Sequence, residues 1–339
     1  MKTILVTGAG GYIGSVLTRI LLEAGYRVVA VDRFFFGRET LPAQDVNLQV
    51  VRTDIRWMDE SLFEGVYGVI DLAALSNDPA GELDADKTWA VNHRGRARVA
   101  RLAKANGVSR YILPSSCSIY GFQEGLLDER SPVNPLTTYA KANLAAEGDT
   151  LALGDDDFCV VVLRQATVYG LSPRMRFDLA INGMARGLFK SGVLPILRDG
   201  LQWRPFVHVR DTSRAMLAML GASPELVNGE IFNVGSDEQN VQIMPLARMV
   251  AEALDLEFVH EWYGLPDHRS YRISFQKIGR VIGYQTQLTP ADGAREVHGA
   301  LQSGDLDPDD PRTNTVEWYK SLIQMHGFLK ETELEGVLL

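Results

Sequence analysis

The stretch Thr3-Ile4-Leu5-Val6-Thr7-Gly8-Ala9-Gly10-Gly11-Tyr12-Ile13-Gly14-Ser15 decides how the chain is read. Its β-branched, apolar opening predicts a buried parallel strand. Gly8, Gly11 and Gly14 follow, each three apart, and Ile13, Val16, Leu17, Ile20 and Leu21 then recur at helical spacing. Strand, glycine turn and helix in that order form the setting of a dinucleotide-binding turn. Gly8 lets the chain reverse, Gly11 lets backbone N–H groups approach a pyrophosphate, and Gly14 lets the helix lie close to the strand. The phosphates then face a helix N-terminus, whose unpaired N–H groups and dipole favour an anion. Tyr12 and Ile13 open that helix and join the glycines as expected cofactor contacts.

The next segment strengthens the reading. Arg27 to Val31 predicts a second strand, and Asp32 ends it, eighteen residues past Gly14. A carboxylate there hydrogen-bonds an adenosine ribose 2′-hydroxyl and repels a 2′-phosphate, so NAD is expected over NADP. Arg33 is the one feature that favours NADP, because a guanidinium there pairs with a 2′-phosphate; its plainer reading is a solvated surface charge.

Composition narrows the function classes. The chain has 339 residues, 46% of them hydrophobic, and a net charge of −9. That size suits one large domain or two smaller ones. The acidic balance argues against nucleic acid or an anionic membrane as the main partner. Cys117 and Cys159 are the only cysteines, too few for a disulfide framework, so a reducing cytoplasm is expected. No apolar run reaches membrane-span length, and the opening Ile-Leu-Val is too short for a signal peptide. The six histidines show no ligand spacing, and no metal is expected.

Further strands are expected at Leu48–Val51, Val66–Leu72, Tyr111–Leu113 and Phe158–Leu163, with helices at Trp89–Ala105 and Tyr139–Leu153. Arg94, Arg96, Arg98 and Arg101 make the first of these helices basic, which reads as a solvated face. Small residues Ala73 and Ala74 follow a strand end, where open α/β sheets bind ligands. The aromatic run Phe34-Phe35-Phe36 is expected to pack over the adenosine side of the cofactor. The alternation predicts an α/β fold: a Rossmann-like, doubly wound parallel sheet with a smaller α/β substrate-binding lobe. Residues 1–166, with 204–236 returning, are assigned to the NAD-binding domain, and 167–203 and 237–339 to the lobe. Helical segments are expected near 177–190 and 240–254, and a mobile tail from Glu331.

Several motifs in fixed order carry a resemblance over nearly the whole chain. They are Thr7-Gly8-x-x-Gly11-x-x-Gly14, Asp32, Asp54-Ile55, Leu72-Ala73-Ala74, Asn92, Ser115-Ser116 before Tyr120-Gly121, Tyr139, Arg164 with Val168-Tyr169-Gly170, and Arg204-x-Phe206-Val207-His208-Val209-x-Asp211. Together they resemble the extended short-chain dehydrogenase/reductase family, in its nucleotide-sugar epimerase, dehydratase and dehydrogenase branch. The resemblance implies NAD held by the glycine turn, Asp32, Asp54, Ile55, Leu72, Ala73, Ala74, Asn92, Ser115 and Tyr139. It implies a nucleoside-diphosphate sugar as substrate, with Ser116 on the sugar hydroxyl at C4 and Tyr139 as the proton carrier. Arg204 and Arg269 match arginines that grip the pyrophosphate, and Asn182 is placed with them; Ser76, Ser118, Thr167 and Arg174 complete the expected substrate contacts. A homodimer is expected by analogy.

Two departures stand out. The family pattern is Tyr-x-x-x-Lys, whereas here Tyr139-Ala-Lys-Ala-Asn143 puts an asparagine where lysine belongs. That lysine normally holds the nicotinamide ribose and lowers the tyrosine pKa. Asn143 can keep the hydrogen bond but brings no charge. An unperturbed tyrosine titrates near ~10, so about a thousandth is phenolate at pH 7. Secondly, family 4,6-dehydratases carry Asp-Glu where Cys117-Ser118 stand, and the decarboxylase branch wants a glutamate in that turn. Oxidation, reduction or epimerisation at C4 remains. The segment Arg164 to Asp178 resembles a branch of nucleotide-activated sugar C4 dehydrogenases, with Arg174 and Arg176 near the sugar or simply paired with Asp178 or Asp199. The alternative is an NAD-binding protein of the same fold with degenerate catalysis, acting as a regulator or partner subunit.

Overall fold

The computed structural model describes residues 1–265, 269–334 and 337. Seven strands form one parallel sheet: β1 (Thr3–Thr7), β2 (Arg27–Asp32), β3 (Leu48–Arg52), β4 (Val66–Asp71), β5 (Arg110–Ser116), β6 (Cys159–Gln165) and β7 (Glu230–Val234). Their spatial order is β7-β6-β5-β4-β1-β2-β3. The architecture is α/β and Rossmann-like. β5 and β6 are buried along nearly their whole length, as strands covered by helices on both faces must be. The order reverses at β1, which pairs with β2 on one side and β4 on the other. Ligands of open α/β sheets bind in the crevice at that reversal.

Three helices frame the crevice: α1 (Tyr12–Glu23), α2 (Arg96–Ala105) and α3 (Thr138–Leu151). The helix expected over Trp89–Ala105 is in fact a π-helical turn, Trp89–Gly95, running into α2. Its basic residues do not share one solvated face. Arg94 and Arg101 are exposed, but Arg96 is only 1% exposed and lies among Val99, Ala100 and Ala103. Positions 96, 99, 100 and 103 fall on one stripe, so α2 turns Arg96 inward with its apolar residues.

Beyond β6 the chain builds the second lobe. Helices Ala180–Ser191, Ile243–Ala253 and Pro290–Ser303 surround a three-stranded sheet of Thr167–Tyr169, Trp203–His208 and Asn240–Gln242. The segment 204–236, expected to return to the NAD-binding domain, divides: β7 pairs with β6, whereas Trp203–His208 pairs with Thr167–Tyr169 and Asn240–Gln242. The edge of β6 is filled by β7, which itself becomes the edge of the large sheet. The C-terminal helix runs over Thr315–Thr332; part of the tail expected to be mobile lies outside the described residues. Among the described residues no helix is long and apolar enough to cross a membrane.

Two glycines give opposite expectations. A Cβ on Gly14 would stand 2.1 Å from the Gly8 carbonyl oxygen, a backbone atom that cannot swing aside, whereas a Cβ on Gly148 in α3 meets nothing within 4 Å. Thermal melts should show Gly14→Ala losing several degrees or failing to fold. Gly148→Ala should gain about 0.5–1 kcal/mol.

His208, fully buried at the head of helix Val209–Gly221, accepts from the Arg210 N–H at Nδ1 and faces Glu296 at 3.1 Å through Nε2. Burial, helped by Arg210, pulls its pKa from 6.5 down to about 4. The folded ring stays neutral where the unfolded ring takes a proton. This stability is complete above pH ~6.5 and is lost as pH falls toward 4, by up to about 3 kcal/mol. Urea unfolding at pH 7 and pH 5 should show the loss, and His208→Asn, which keeps a capping acceptor, should flatten that part of the slope.

Candidate active site

The glycine turn closes tightly on the sheet. Gly8 has φ +66°, and a Cβ there would meet the Leu72–Ala73 backbone at 2.8–2.9 Å. The Gly11 N–H donates to the Gly8 carbonyl at 3.0 Å, and α1 begins without any side-chain cap or acidic residue in its first turn. Its first N–H groups are therefore offered to a ligand. Beneath the turn, Thr7 Oγ1 donates to Asp71 and accepts from the Ala73 N–H at 3.0 Å, which ties β1 to the Leu72-Ala73-Ala74 segment. The bare turn, the uncapped helix and the carboxylate at the end of β2 fit a dinucleotide.

Asp32 accepts from the N–H groups of Gly10 (3.0 Å) and Phe34 (2.6 Å), which fixes the carboxylate beside the turn. Burial raises its pKa while those hydrogen bonds lower it. Arg33 is held at 3.1 Å by Asp54, which also receives Arg56 at 2.8 and 2.9 Å. Burial works to raise the Asp54 pKa, but the hydrogen bonds and charges of Arg56 and Arg33 outweigh it. Arg33 is thus an ion-paired residue. Ile55 packs under the π-turn, where a Gly95 Cβ would come within 2.8 Å of it. Asn92 is buried, with its amide accepting from Leu75 N–H at 2.8 Å and donating to Leu75 C=O at 3.0 Å, so it pins the segment after β4.

At the carboxyl end of β5, Ser116 accepts from the Ser118 N–H at 3.2 Å and faces Tyr139 at the start of α3. Thr137 caps α3, and its hydroxyl donates to Asp78 at 2.5 Å. Tyr139 packs against Gly81, where a Cβ would lie 2.9 Å from the tyrosine Cβ. Burial pushes the Tyr139 phenol up and Asp78 adds to it; Arg96, the Ser116 hydroxyl and Arg176 pull it down. Asn143, 1% exposed, accepts from Arg96 Nη1 at 2.8 Å and donates to the Tyr139 carbonyl at 2.9 Å. Both polar ends of this amide are engaged inside the protein. Ser115 is buried and donates to Glu147 at 2.5 Å, and Glu147 is gripped by Arg164 at 2.8 Å, whose Nη1 also donates to Tyr120 at 3.0 Å. The Ser118 hydroxyl is buried with no hydrogen-bond partner.

The expected substrate residues divide between two sides. Arg174 is buried, stacked 3.6 Å over the Phe36 ring and bonded to Thr315 Oγ1 at 2.9 Å, on the side of the aromatic loop. Arg176 pairs with Asp178 at 2.7 Å and reaches Ser76 at 3.4 Å. Asn182 is buried against the glycine turn: its amide accepts from Gly170 N–H at 2.9 Å and donates to Tyr12 Oη at 3.0 Å and the Arg176 carbonyl at 2.9 Å. Tyr12 in turn donates to the Gly170 carbonyl at 2.6 Å. Thr167 heads the first strand of the small sheet, opposite Phe206. Arg204 donates to the Trp203 carbonyl at 2.9 Å and to that of Arg269, and stacks 5.3 Å from the Tyr271 ring centre. Arg269 is ion-paired with Asp78. Sequence reasoning missed Arg96, Asp78 and the Glu147–Arg164 pair as neighbours of the site. The apolar stripe of α2 held the signal for Arg96.

Residues 4–235 match the model of the NAD dependent epimerase/dehydratase family. The chain is 29% identical over 249 residues to the uncharacterized UDP-glucose epimerase YtcB of Bacillus subtilis (strain 168), covering 70% of this chain and 77% of that one. It is 27% identical to a dTDP-glucose 4,6-dehydratase of Streptomyces niveus, over 94% of this chain and 92% of that one. Among solved structures, MoeE5 in complex with UDP-glucose and NAD superposes with a TM-score of 0.79 at 28% identity, over 90% of this chain and 100% of that chain. With the crevice, the bare turn and these likenesses together, the chain belongs to the NAD dependent epimerase/dehydratase family, and its cofactor is NAD.

Proposed function

We propose that the chain oxidises or epimerises a nucleoside-diphosphate sugar at C4. The observation that carries this reading is the convergence of Ser116 and Tyr139 beside a turn that contains no acid–base pair for chemistry at C5 and C6. Cys117 is buried, its thiol donates to the Arg164 carbonyl at 3.3 Å, and burial pushes its pKa well up. Ser118 is a buried neutral hydroxyl. Neither residue can take a proton from C5 and return one at C6, which disfavours dehydration although dehydratases are among the relatives.

NAD, when bound, accepts the hydride from C4. The protein's share is proton and position. The Ser116 oxygen accepts from Ser118 N–H and its hydroxyl faces the Tyr139 phenol, so a sugar oxygen held by Ser116 lies within reach of the tyrosine. Tyr139 takes the hydroxyl proton as the alcohol is oxidised and returns it as a ketone is reduced. Arg204 and Arg269 support the diphosphate, which competes with Asp78 for Arg269. A homodimer in the cytoplasm belongs to the same proposal. The uncharged residue at 143 favours one other reading, an NAD-holding regulator with degenerate chemistry.

The two readings separate in one assay. Nucleoside-diphosphate sugars with different bases are incubated with NAD⁺, and NADH absorbance and product NMR are followed. At least one sugar should react, and Tyr139→Phe should lower kcat by about 10²- to 10⁴-fold with NAD affinity nearly unchanged. The working base is a phenolate with a raised pKa, so oxidation should quicken as pH rises above neutrality. No turnover of any sugar by a protein that still binds NAD favours the regulator.

A further inference from the structure

The site contains a buried cation, Arg96. Arg96 projects from α2 into the core, 1% exposed, toward the carboxyl ends of β4 and β5. Its guanidinium donates to the carbonyls of Asp71 at 2.7 Å and Pro114 at 2.5 Å, and to Asn143 Oδ1 at 2.8 Å. Its Nε has no hydrogen-bond partner and lies 3.8 Å from the Asp71 carboxylate. That carboxylate already accepts from Thr7 and, at 2.5 Å, from Tyr111. Every hydrogen bond Arg96 makes is therefore to a neutral acceptor. Burying a guanidinium is costly, and the Asp71 carboxylate nearby offsets part of that cost.

Asn143 links this cation to the tyrosine. It is one helical turn after Tyr139 on the same face of α3, and its amide bridges Arg96 and the Tyr139 carbonyl. We propose that Arg96, anchored through Asn143, supplies the positive charge that a lysine at position 143 would otherwise bring to the Tyr139 phenol. Arg96 is a positioning residue: 1% exposed and hydrogen-bonded to protein groups, it acts through its field on Tyr139. The inference rests on Tyr139 being the proton carrier.

The other charges around the phenol are consistent with that role. Asp78, on the short helix Asp78–Gly81, opposes Arg96 but is itself paired with Arg269. Arg176 acts in the same direction as Arg96 and is paired with Asp178. On α3, Glu147 is neutralised by Arg164. Asp71 lies behind Arg96, 3.8 Å from its Nε, and its carboxylate is turned to Thr7 and Tyr111, which both donate to it. The Ser116 hydroxyl completes the set.

The test reads the phenol directly, in the NAD-loaded protein, by ultraviolet difference titration against Tyr139→Phe. Arg96→Gln, which keeps an N–H donor for Asn143, should raise the Tyr139 midpoint by about one unit or more, a tenfold loss of phenolate at neutral pH. Arg96→Lys should stay near the wild type, and Arg96→Gln/Asn143→Lys should bring the midpoint back down. An unchanged midpoint in Arg96→Gln overturns the inference. Arg96→Lys decides the case if Arg96→Gln does not fold: with a cation kept there the midpoint should stay put, and a rise of one unit or more contradicts the proposal. The titration needs no sugar, so a failure to find a reactive substrate counts against the proposed function and leaves this result legible.

Discussion

The approach of α1 to the first turn governs the geometry of the whole crevice. With Gly14 against the Gly8 carbonyl and Gly8 against the Leu72–Ala73 backbone, three main-chain runs meet with no side chain between them. Atoms larger than hydrogen at either position would wedge the helix off the sheet. Because they are absent, the helix N-terminus opens directly onto the gap between β1 and β4. The Thr7–Asp71–Tyr111 chain of hydrogen bonds lies below that gap and holds β1, β4 and β5 together. The binding surface is made of backbone, and side chains serve mainly to fix it.

Under this surface two arginines are buried in contrasting ways. Arg164 is forked onto Glu147, so its charge is cancelled where it stands and its work is structural: it ties β6 to α3 and, through Tyr120, reaches Asn233 on β7. Arg96 is hydrogen-bonded only to carbonyls and an amide, and its nearest anion, Asp71, stands 3.8 Å from its Nε rather than forked onto it. In a low-dielectric interior such a charge acts over a longer range than it would in water. The two residues meet one face of α3, at Asn143 and at Glu147 one turn further on, and Arg96 is the one among the main charges acting on the Tyr139 phenol.

Much of this was legible from the residues. Uninterrupted apolar runs and a repeating glycine interval are local signals, and the strands, α1 and the acidic end of β2 stand where those signals put them. The signals weaken where tertiary competition decides. The strand at Trp203–His208 has the composition of a sheet strand, and composition does not say which sheet it joins: it pairs with Thr167–Tyr169 and Asn240–Gln242. Arg96 was read as solvated because charge usually marks surface. Its stripe neighbours Val99, Ala100 and Ala103 pointed inward, and the acceptors that make burial tolerable come from β4, β5 and α3, far away in sequence. The same reason hid the engagement of Asn143 and Asn182, whose amides are occupied by partners that sequence spacing cannot name.

In the proposed chemistry hydride leaves the sugar at C4, and in epimerisation it returns to that same carbon. A reactive nucleoside-diphosphate sugar carrying deuterium at C4 tests it most directly, with the label located by NMR after turnover. The account predicts that the deuterium is found on the nicotinamide or back at C4. Deuterium at C6, or lost to water during turnover, would contradict it.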